Sequence, residues 1–272
     1  MHGTLSNPLR RHEQTMPNVR FERDAEIALI TIERPECRNA VDGPTADELH
    51  AAFEAFEADG ALRVAVLSGA GGHFCAGADL AALGDPARRN RVEADGSGPG
   101  PMGPTRMAFT KPVIAAIEGY AVAGGLELAL MCDLRVAARS AVFGVFCRRW
   151  GVPLIDGGTV RLPRIVGMGR ALDMILTGRA VHADEALAFG LASRVVDDGS
   201  AIGEARTLAT RLAAFPQGCM NADRASAYAQ WELPLPEALQ REGVRGYDVI
   251  AAEALPGAAR FAAGAGRHGH DA

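Results

Sequence analysis

The sequence predicts an α/β fold whose first part alternates strands with helices and whose last part is helical. Short apolar runs with strand-like patterns recur up to about residue 138, and segments with apolar residues at helical spacing lie between them. From Val160 onward helical patterns dominate, and the short run ASRVV is typical of a strand. With 272 residues, of which 48% are hydrophobic, the chain can bury a sizeable core.

The first elements follow in order from local patterns. Residues 1–17 form a polar tail, and VRFERDAEIALITIERP then predicts two short strands that end at Pro35. A helix is predicted over GPTADELHAAFEAFEADG, because Pro44 fits its first turn and Gly60 its end. The next stretch, RVAVLSGAG, predicts a buried strand that runs into a glycine-rich turn.

Residues 84–105, GDPARRNRVEADGSGPGPMGPT, differ from their surroundings. They are rich in Gly, Pro and Arg and contain almost no apolar residues. They predict either a mobile surface loop that covers a site or a disordered insertion, and their composition does not decide between the two.

The rest of the chain completes the strand–helix pattern. KPVIAAIEG predicts a strand, GGLELALMC a helix and DLRVAARS a further strand. The later helical patterns are GRALDMILTG, HADEALAFG, AIGEARTLATRLAAF and three more. We therefore divide the chain into the tail at 1–17, a core at 18–200 and a C-terminal helical region at 201–272.

Composition excludes several classes of function. The formal net charge of -5 is spread along the chain without a basic stripe, and aromatic residues are few, so nucleic acid is not an expected partner. The chain contains no run of about 18 apolar residues, so no membrane span is predicted. The N-terminus also lacks the apolar segment of a signal peptide.

The cysteines favour a reduced, cytoplasmic protein. Five are present, an odd number, and no two of them are spaced as C-x-x-C. The seven histidines are scattered, so we expect no metal site. Lys111 is the single lysine, so almost all of the basic residues are arginines. The planar guanidinium group of arginine binds phosphate groups through two hydrogen bonds.

Two glycine-containing turns could hold an anion through main-chain amides. One lies in HFCAGADL, residues 73–80, although an ordinary strand-to-helix turn would have the same sequence. The other lies in GYAVAGGLELALMCD, residues 119–133, where Gly124 and Gly125 open a helix.

Glu127 lies in the first turn of that helix, whose residues are apolar on all sides. Such a helix is buried, so we expect the carboxyl group to be buried as well. A buried carboxylate is costly unless it is paired, or else its pKa rises. Glu127 is therefore either a catalytic group or half of a structural ion pair with an arginine, and the neighbouring donor turn favours catalysis.

Asp156 follows an apolar stretch and precedes Gly157 and Gly158. This position predicts a tight turn or a helix N-terminus. The carboxylate could simply cap a helix that begins near Thr159, and from these residues alone the cap is the simpler interpretation.

Together these stretches resemble the enoyl-CoA hydratase/isomerase (crotonase) family. The likeness runs in order from about residue 19 to 250 and includes RPECRNAV, VAVLSGAGGHFCAGADL, KPVIAAIEGYAVAGGLELALMCDLRVAA, GGTVRLPRIVGMGRALDMILTG and ADEALAFGLASRVV. It implies a crotonase-like α/β spiral of strand–strand–helix turns with a C-terminal helical oligomerisation region. It also implies a homotrimer or a dimer of trimers.

The resemblance further implies an acyl-CoA thioester substrate and no separate cofactor, since coenzyme A is part of the substrate. Motif matching places the two amides of an oxyanion hole at Ala78 and Gly124, where they would stabilise a thioester enolate. The CoA moiety would lie near four residues of two matched motifs: Cys37, Arg38, Asp79 and Leu80.

Glu127 matches one of the two glutamates that the family's hydratases use, but the second glutamate is missing. Its position, after FG, is occupied by Cys147. Hydration needs a base that orients water and an acid that protonates Cα, and a thiol with a pKa of about 8.5 is a poor substitute for a carboxylate. Asp156 matches a position where the family's dienoyl-CoA isomerases and chlorobenzoyl-CoA dehalogenase carry a working Asp, which implies that the second acid has moved.

The sequence thus favours an acyl-CoA enzyme, with hydration of trans-2-enoyl-CoA as the default reaction. Isomerisation of an enoyl-CoA or dienoyl-CoA double bond, or another enolate reaction, is the alternative because of Cys147. A non-catalytic CoA-binding protein is an alternative of another class. Cys147 could also be a nucleophile whose pKa Arg148 and Arg149 lower, but a buried apolar role is commoner for cysteine.

Overall fold

The computed structural model describes residues 14–15 and 17–264. The chain forms two compact units, one that ends at Thr210 and one that begins at Arg211. Most of the predicted tail at 1–17 lies outside the described residues.

The first unit is built on a seven-stranded sheet with the strand order β1-β2-β3-β4-β5-β7-β10. The first two pairings are antiparallel and the others are parallel. The strands of this sheet are β1 (Gln14–Thr15), β2 (Val19–Asp24), β3 (Ile27–Ile32), β4 (Val64–Gly69), β5 (Val113–Ile117), β7 (Leu134–Ala138) and β10 (Arg194–Val196).

A second sheet of three short strands was not predicted. It consists of β6 (Tyr120–Val122), β8 (Val142–Gly144) and β9 (Ala180–His182). β6 pairs with β8 in parallel and β8 with β9 antiparallel. Strands of three residues are too short to show an alternating pattern, so only their pairing in the folded chain reveals them.

The helices agree with the predicted order, so the α/β class with a helical end is confirmed. They are α1 (Gly43–Ala58), α2 (Gly124–Met131), α3 (Gly158–Val166), α4 (Met168–Thr177), α5 (Ala183–Phe189), α6 (Ala201–Ala214), α7 (Gln217–Ala229), α8 (Leu235–Val249) and α9 (Leu255–Ala262). Helix α1 begins after Asp42, whose side chain accepts a hydrogen bond from the Thr45 amide at 3.1 Å.

Helix α2 passes through the core, and all eight of its residues are buried. The prediction of a helix buried on every side is confirmed. Because lateral apolar contacts hold α2 in place, a polar group on it is held in a fixed position within a dry environment.

The segment at 84–105 is irregular but is tied to the rest of the unit. Asn90 donates from Nδ2 to the carbonyl oxygens of Val41 at 3.1 Å and Pro101 at 2.8 Å. Near its end, Met102 and Thr105 are each only 1% exposed. The interpretation as a disordered insertion is therefore wrong, because the end of the segment is part of the packed interior.

A cluster of four charged side chains also holds this segment. Arg88 contacts the carboxylates of Asp42 at 2.9 Å and Asp79 at 3.0 Å, and Arg34 contacts the same oxygens at 3.3 and 3.1 Å. Two buried carboxylates so close together need two cations, and the second cation comes from the segment. The cluster thus joins the start of α1 to the turn that contains Asp79.

The second unit contains α7, α8 and α9. Helix α7 packs against α8, and a π-helical turn at Ile250–Ala254 joins α8 to α9. The carboxylate of Glu253 accepts hydrogen bonds from the amides of Gly218 at 2.8 Å and Cys219 at 2.6 Å, so it satisfies the first turn of α7. No helix in the described part of the chain has the length and apolar surface that crossing a bilayer requires.

The backbone at Gly103 yields a prediction about stability. Its φ is +91°, and a Cβ there would overlap the carbonyl oxygen of Ala46 in α1. We expect Gly103→Ala to destabilise the protein by about 1–3 kcal/mol, because the substitution adds both strain and a clash. Thermal and urea unfolding measure the change.

Gly169→Ala is the matched control, since Gly169 lies in α4, has no positive φ, and a Cβ added there would meet no atom within 4 Å. It should leave stability unchanged or raise it by up to about 1 kcal/mol. Equal effects of the two substitutions would contradict the steric argument.

Candidate active site

A cavity of about 450 Å³ in the first unit brings together the five site residues predicted for the reaction itself, as distinct from CoA binding. They come from turns and helices that are far apart in the chain. The residues are Ala78, Gly124, Glu127, Cys147 and Asp156.

Glu127 is 2% exposed and lies in the first turn of α2. Its Oε1 accepts hydrogen bonds from the main-chain amides of Asp156 at 2.9 Å and Gly158 at 2.8 Å. Within the described residues Oε2 accepts no hydrogen bond, and because Glu127 lines the cavity this oxygen is available to a bound molecule.

Burial raises the pKa of Glu127 to about 7, and the nearby charge of Asp156 acts in the same direction. The two amides and the more distant Arg161 oppose the shift. No arginine in the described part of the chain forms an ion pair with Glu127, so the interpretation as a structural ion pair is wrong. A carboxyl group with a pKa near neutrality can both give and take a proton at physiological pH.

Asp156 is 3% exposed and does not cap the helix that follows it. The cap position of α3 belongs to Gly157, with no side-chain cap bond. Instead, Oδ1 of Asp156 accepts hydrogen bonds from the Met102 amide at 3.0 Å and from the Thr105 hydroxyl. The simpler interpretation of Asp156 as a cap is therefore wrong.

The two acids are connected through the main chain, because the amide of Asp156 is itself a donor to Glu127. Burial raises the pKa of Asp156, and its hydrogen bonds with Thr105 and Met102 oppose that rise. Two carboxyl groups in one dry cavity do not both ionise easily, so they differ in their tendency to hold a proton.

The amides of Ala78 and Gly124 donate no hydrogen bond to any described residue. Ala78 forms a parallel bridge with Val41 in which Gly77 and Asp79 supply the main-chain groups. The N–H of Ala78 therefore faces the opposite side, away from Val41. The N–H of Gly124 is the first of α2 and has no partner within the helix.

Backbone strain lies directly before Gly124. Ala123 has φ 54° and ψ -125°, which is rare for a residue with a side chain, and its amide donates to the Gly144 carbonyl at 2.8 Å. Strained residues of this kind persist where the surrounding structure fixes them, and they cluster at functional sites. Here the strained residue sets the direction of the Gly124 amide.

The two amide turns are in close contact with each other. A Cβ on Gly77 would lie 2.8 Å from Cβ of Ala123 and 3.1 Å from the nitrogen of Gly124. Only a glycine at position 77 allows this approach. The two unbonded amides consequently belong to neighbouring turns of one cavity wall.

Cys147 is 7% exposed and lies in a short 3₁₀ helix, Phe146–Trp150. Burial raises the pKa of its thiol, and the charge of Glu127 adds to the rise, while Arg148 opposes it. The thiol is protonated at neutral pH, so the geometry does not favour the hypothesis of a nucleophilic Cys147.

The structure places two of the four residues predicted to contact CoA in the cavity lining. Arg38 and Leu80 line the cavity, whereas Cys37 and Asp79 do not. The thiol of Cys37 donates to the Arg34 carbonyl at 3.4 Å, and the carboxylate of Asp79 belongs to the charged cluster. A role of these two residues in CoA binding stays a prediction.

Several cavity residues were not predicted. Met102 gave no signal, because it stands in the glycine- and proline-rich segment, and the same holds for Thr105, which does not line the cavity but donates to Asp156. Three exposed apolar side chains that line the cavity were not predicted either, because their positions depend on folding: Leu83, Val92 and Trp150. Among the residues that the structure describes, no group of three or more His, Cys, Asp or Glu side chains is arranged to hold a metal ion.

Comparison with known proteins agrees with this geometry. The family model described as Enoyl-CoA hydratase/isomerase matches residues 22–261. The chain is 37% identical over 205 residues to the enoyl-CoA hydratase EchA19 of Mycobacterium tuberculosis, and this match covers 73% of the chain and 75% of that protein. It is 36% identical over 220 residues to the (E)-benzylidenesuccinyl-CoA hydratase of Thauera aromatica, with 80% and 84% covered.

A solved structure shows the same fold. The crystal structure of the enoyl-CoA hydratase EchA1 from Mycobacterium marinum is similar with a TM-score of 0.84 and 34% sequence identity. The match covers 91% of this chain and 96% of that chain. The expectation of a crotonase-like spiral is thereby confirmed.

The raised pKa of Glu127 predicts a pH-dependent effect on stability. Because the pKa is higher in the folded than in the unfolded chain, this carboxyl group contributes stability below its unfolded pKa. That contribution is lost as the pH rises through about 7. Glu127→Gln keeps an acceptor oxygen for the two amides but removes the ionisation.

We therefore expect the stability of Glu127→Gln, measured relative to the wild type, to increase by roughly 1–3 kcal/mol when the pH is raised from about 5 to about 8. Urea unfolding of both proteins at the two pH values measures the difference. A difference that is the same at both pH values would show that Glu127 does not titrate in this range.

Proposed function

Since the chain belongs to the enoyl-CoA hydratase/isomerase family, we propose that it hydrates trans-2-enoyl-CoA thioesters through an oxyanion-stabilised enolate. The members of this family are lyases and isomerases, so the assignment to an enzyme family replaces the alternative of a non-catalytic CoA-binding protein. One observation carries the proposed reaction. Two connected buried acids and two unbonded amides line the same cavity.

The amides of Ala78 and Gly124 fit the role of an oxyanion hole. Addition of water to an enoyl thioester places negative charge on the thioester oxygen, and donors that are already oriented stabilise that charge without reorganisation. One such donor is typically worth about 10²–10³ in rate. The strain at Ala123 is consistent with an amide that is held ready for this charge.

The two acids fit complementary roles. Glu127, with a pKa near 7, is suited to deliver a proton to Cα of the enolate. Asp156 keeps Oδ2 without a hydrogen bond from the described residues, and this oxygen is suited to orient the attacking water. In this scheme Asp156 replaces the glutamate that the family's hydratases carry where Cys147 stands.

Isomerisation of a double bond is the second candidate, and Cys147 is the observation that favours it. Its protonated thiol does not act as a base at neutral pH. An isomerase moves one proton between two carbon atoms, and a single carboxyl group such as Glu127 can do this. The two reactions differ in the product, since hydration alone adds a water.

Binding of the CoA moiety is proposed for the two arginines that line the cavity. Arg38 and Arg149 both line the cavity, and a guanidinium group can form bidentate hydrogen bonds with a phosphate group. The reaction as proposed needs no cofactor beyond the CoA portion of the substrate, because the carboxyl groups and amides supply its proton transfer and charge stabilisation. A cytoplasmic location is supported by five cysteines that form no disulfide.

We expect three substitutions to separate the roles in the cavity. Glu127→Gln should lower kcat by about 10³-fold or more and Asp156→Asn by about 10²-fold, because each removes a group that transfers a proton. Cys147→Ala should cost less than about tenfold, because the buried thiol has no chemical role. Loss of the conjugated thioester absorbance of crotonyl-CoA measures the rates.

Mass spectrometry of the product decides the reaction type. A product heavier by one water supports hydration, and turnover of a 3-enoyl-CoA into a conjugated thioester of unchanged mass supports isomerisation. Complete loss of activity in Cys147→Ala, with Asp156→Asn fully active, would contradict the proposed assignment of the second acid.

We also propose assembly as a homotrimer or a dimer of trimers. Helix α8 of the second unit exposes several large apolar side chains: Leu235 (71%), Leu239 (58%), Val244 (59%) and Tyr247 (76%). Exposed apolar area of this extent on one element is typical of a surface covered by another chain. Light scattering should give three or six times the chain mass of 28.5 kDa.

Leu239→Asp should shift that mass towards the single chain, since it places a charge on the apolar surface of α8. Arg241→Asp, two residues away on the same helix, is the control for the introduced charge, because Arg241 pairs with Glu237 and does not belong to the apolar residues of α8. A monomer in the unchanged protein would contradict the proposed assembly.

A further inference from the structure

We propose that Thr105 is a positioning residue which keeps Asp156 ionised and so leaves the proton of the acid pair on Glu127. This inference rests on the proposed function for its chemical meaning, but it concerns the distribution of a proton in the ligand-free protein. Thr105 lies at the end of the segment 84–105, outside the motifs that carry the family resemblance.

The two acids accept different kinds of hydrogen bond. Among the described residues, Glu127 accepts only from main-chain amides, those of Asp156 and Gly158. Asp156 accepts from the Met102 amide and from the Thr105 hydroxyl, both on Oδ1. Both hydrogen bonds favour the ionised form of Asp156, and the bond from the Thr105 hydroxyl contributes more than the bond from the Met102 amide.

On the side of the segment, no space is left for a water beside the hydrogen bond between Thr105 and Asp156. Thr105 is 1% exposed, and the space around the bond is filled. A Cβ on Gly100 would overlap Oγ1 of Thr105 and lie 2.6 Å from Oδ1 of Asp156. The hydrogen bond is therefore sealed on the side that faces the segment, and its loss would leave a buried acceptor with one donor fewer.

Arg161 fixes the distance between the two residues. Its guanidinium group donates to the carbonyl oxygen of Asp156 at 3.0 Å and to that of Thr105 at 2.6 Å. A planar group that bridges two carbonyl oxygens holds both main-chain segments in register. The Thr105 hydroxyl thus meets Asp156 in a geometry set by a third residue and not by the side chain alone.

The surrounding charges are consistent with a proton on Glu127. Arg106 and Arg161 both favour the ionised form of Asp156, while the charge of Asp156 disfavours the ionised form of Glu127. Cys147, which also lies near Glu127, is protonated at neutral pH and adds no charge. With Asp156 ionised and Glu127 protonated, the cavity holds a base and an acid before the substrate arrives.

The test is a titration of the carboxyl groups by carbon-13 NMR in the ligand-free protein, with Asp156→Asn identifying the Asp156 signal. Thr105→Val removes the hydroxyl at constant shape, and we expect it to raise the pKa of Asp156 by about one unit. Thr105→Ser restores the donor and should restore the pKa. In the pH profile of kcat/KM, the acidic limb should move in the same direction, with little change in KM.

Thr110→Val is the matched control, because the Thr110 hydroxyl also donates to a carboxylate, Glu57, but on the surface. It should leave the titration of Asp156 unchanged. If Thr105→Val does not fold, Thr105→Ala is titrated in its place. An unchanged pKa of Asp156 without the Thr105 hydroxyl overturns the inference, whatever happens to the rate.

The outcome separates this inference from the proposed function. A shifted pKa together with no turnover of any acyl-CoA ester supports the role of Thr105 and rejects the proposed function. Turnover of enoyl-CoA by the wild type, together with an unshifted pKa of Asp156 in Thr105→Val, supports the proposed function and rejects the role of Thr105.

Discussion

The site depends on one arrangement, in which the carboxyl group of a buried apolar helix accepts hydrogen bonds from two main-chain amides outside that helix. Glu127 would be too costly to bury if its oxygen met only the side chains of α2. The amides of Asp156 and Gly158 offset part of that cost and also fix where the second acid stands, since Asp156 is itself one of the donors. Burial of the first acid and position of the second are therefore a single structural fact.

The segment 84–105 contributes to the site at two points. Through Arg88 it completes the charged cluster beside the Ala78 turn, and through Thr105 it reaches Asp156. Neither contact belongs to the strands and helices that define the fold. A stretch with little regular secondary structure can thus be as firmly placed as a helix, provided that its few polar groups find buried partners.

Much of the fold follows from the sequence, and the site follows in part. The strands β2 to β5 and the helices show their periodicity, and Glu127 stands out because an acid in an apolar helix requires an explanation. The strands of the second sheet are too short to carry a pattern. The partners of Asp156 were hidden because Thr105 lies 51 residues away in a segment whose composition resembles a linker.

The contact between Gly77 and Ala123 has a consequence for the evolution and engineering of this scaffold. Since a methyl group at 77 would meet the methyl group of 123, the two turns cannot be varied one at a time. Libraries that randomise either loop separately would mostly yield broken pockets, whereas paired changes sample usable shapes. Substrate range is then expected to diversify through exposed side chains elsewhere in the cavity lining, such as Val92 and Trp150.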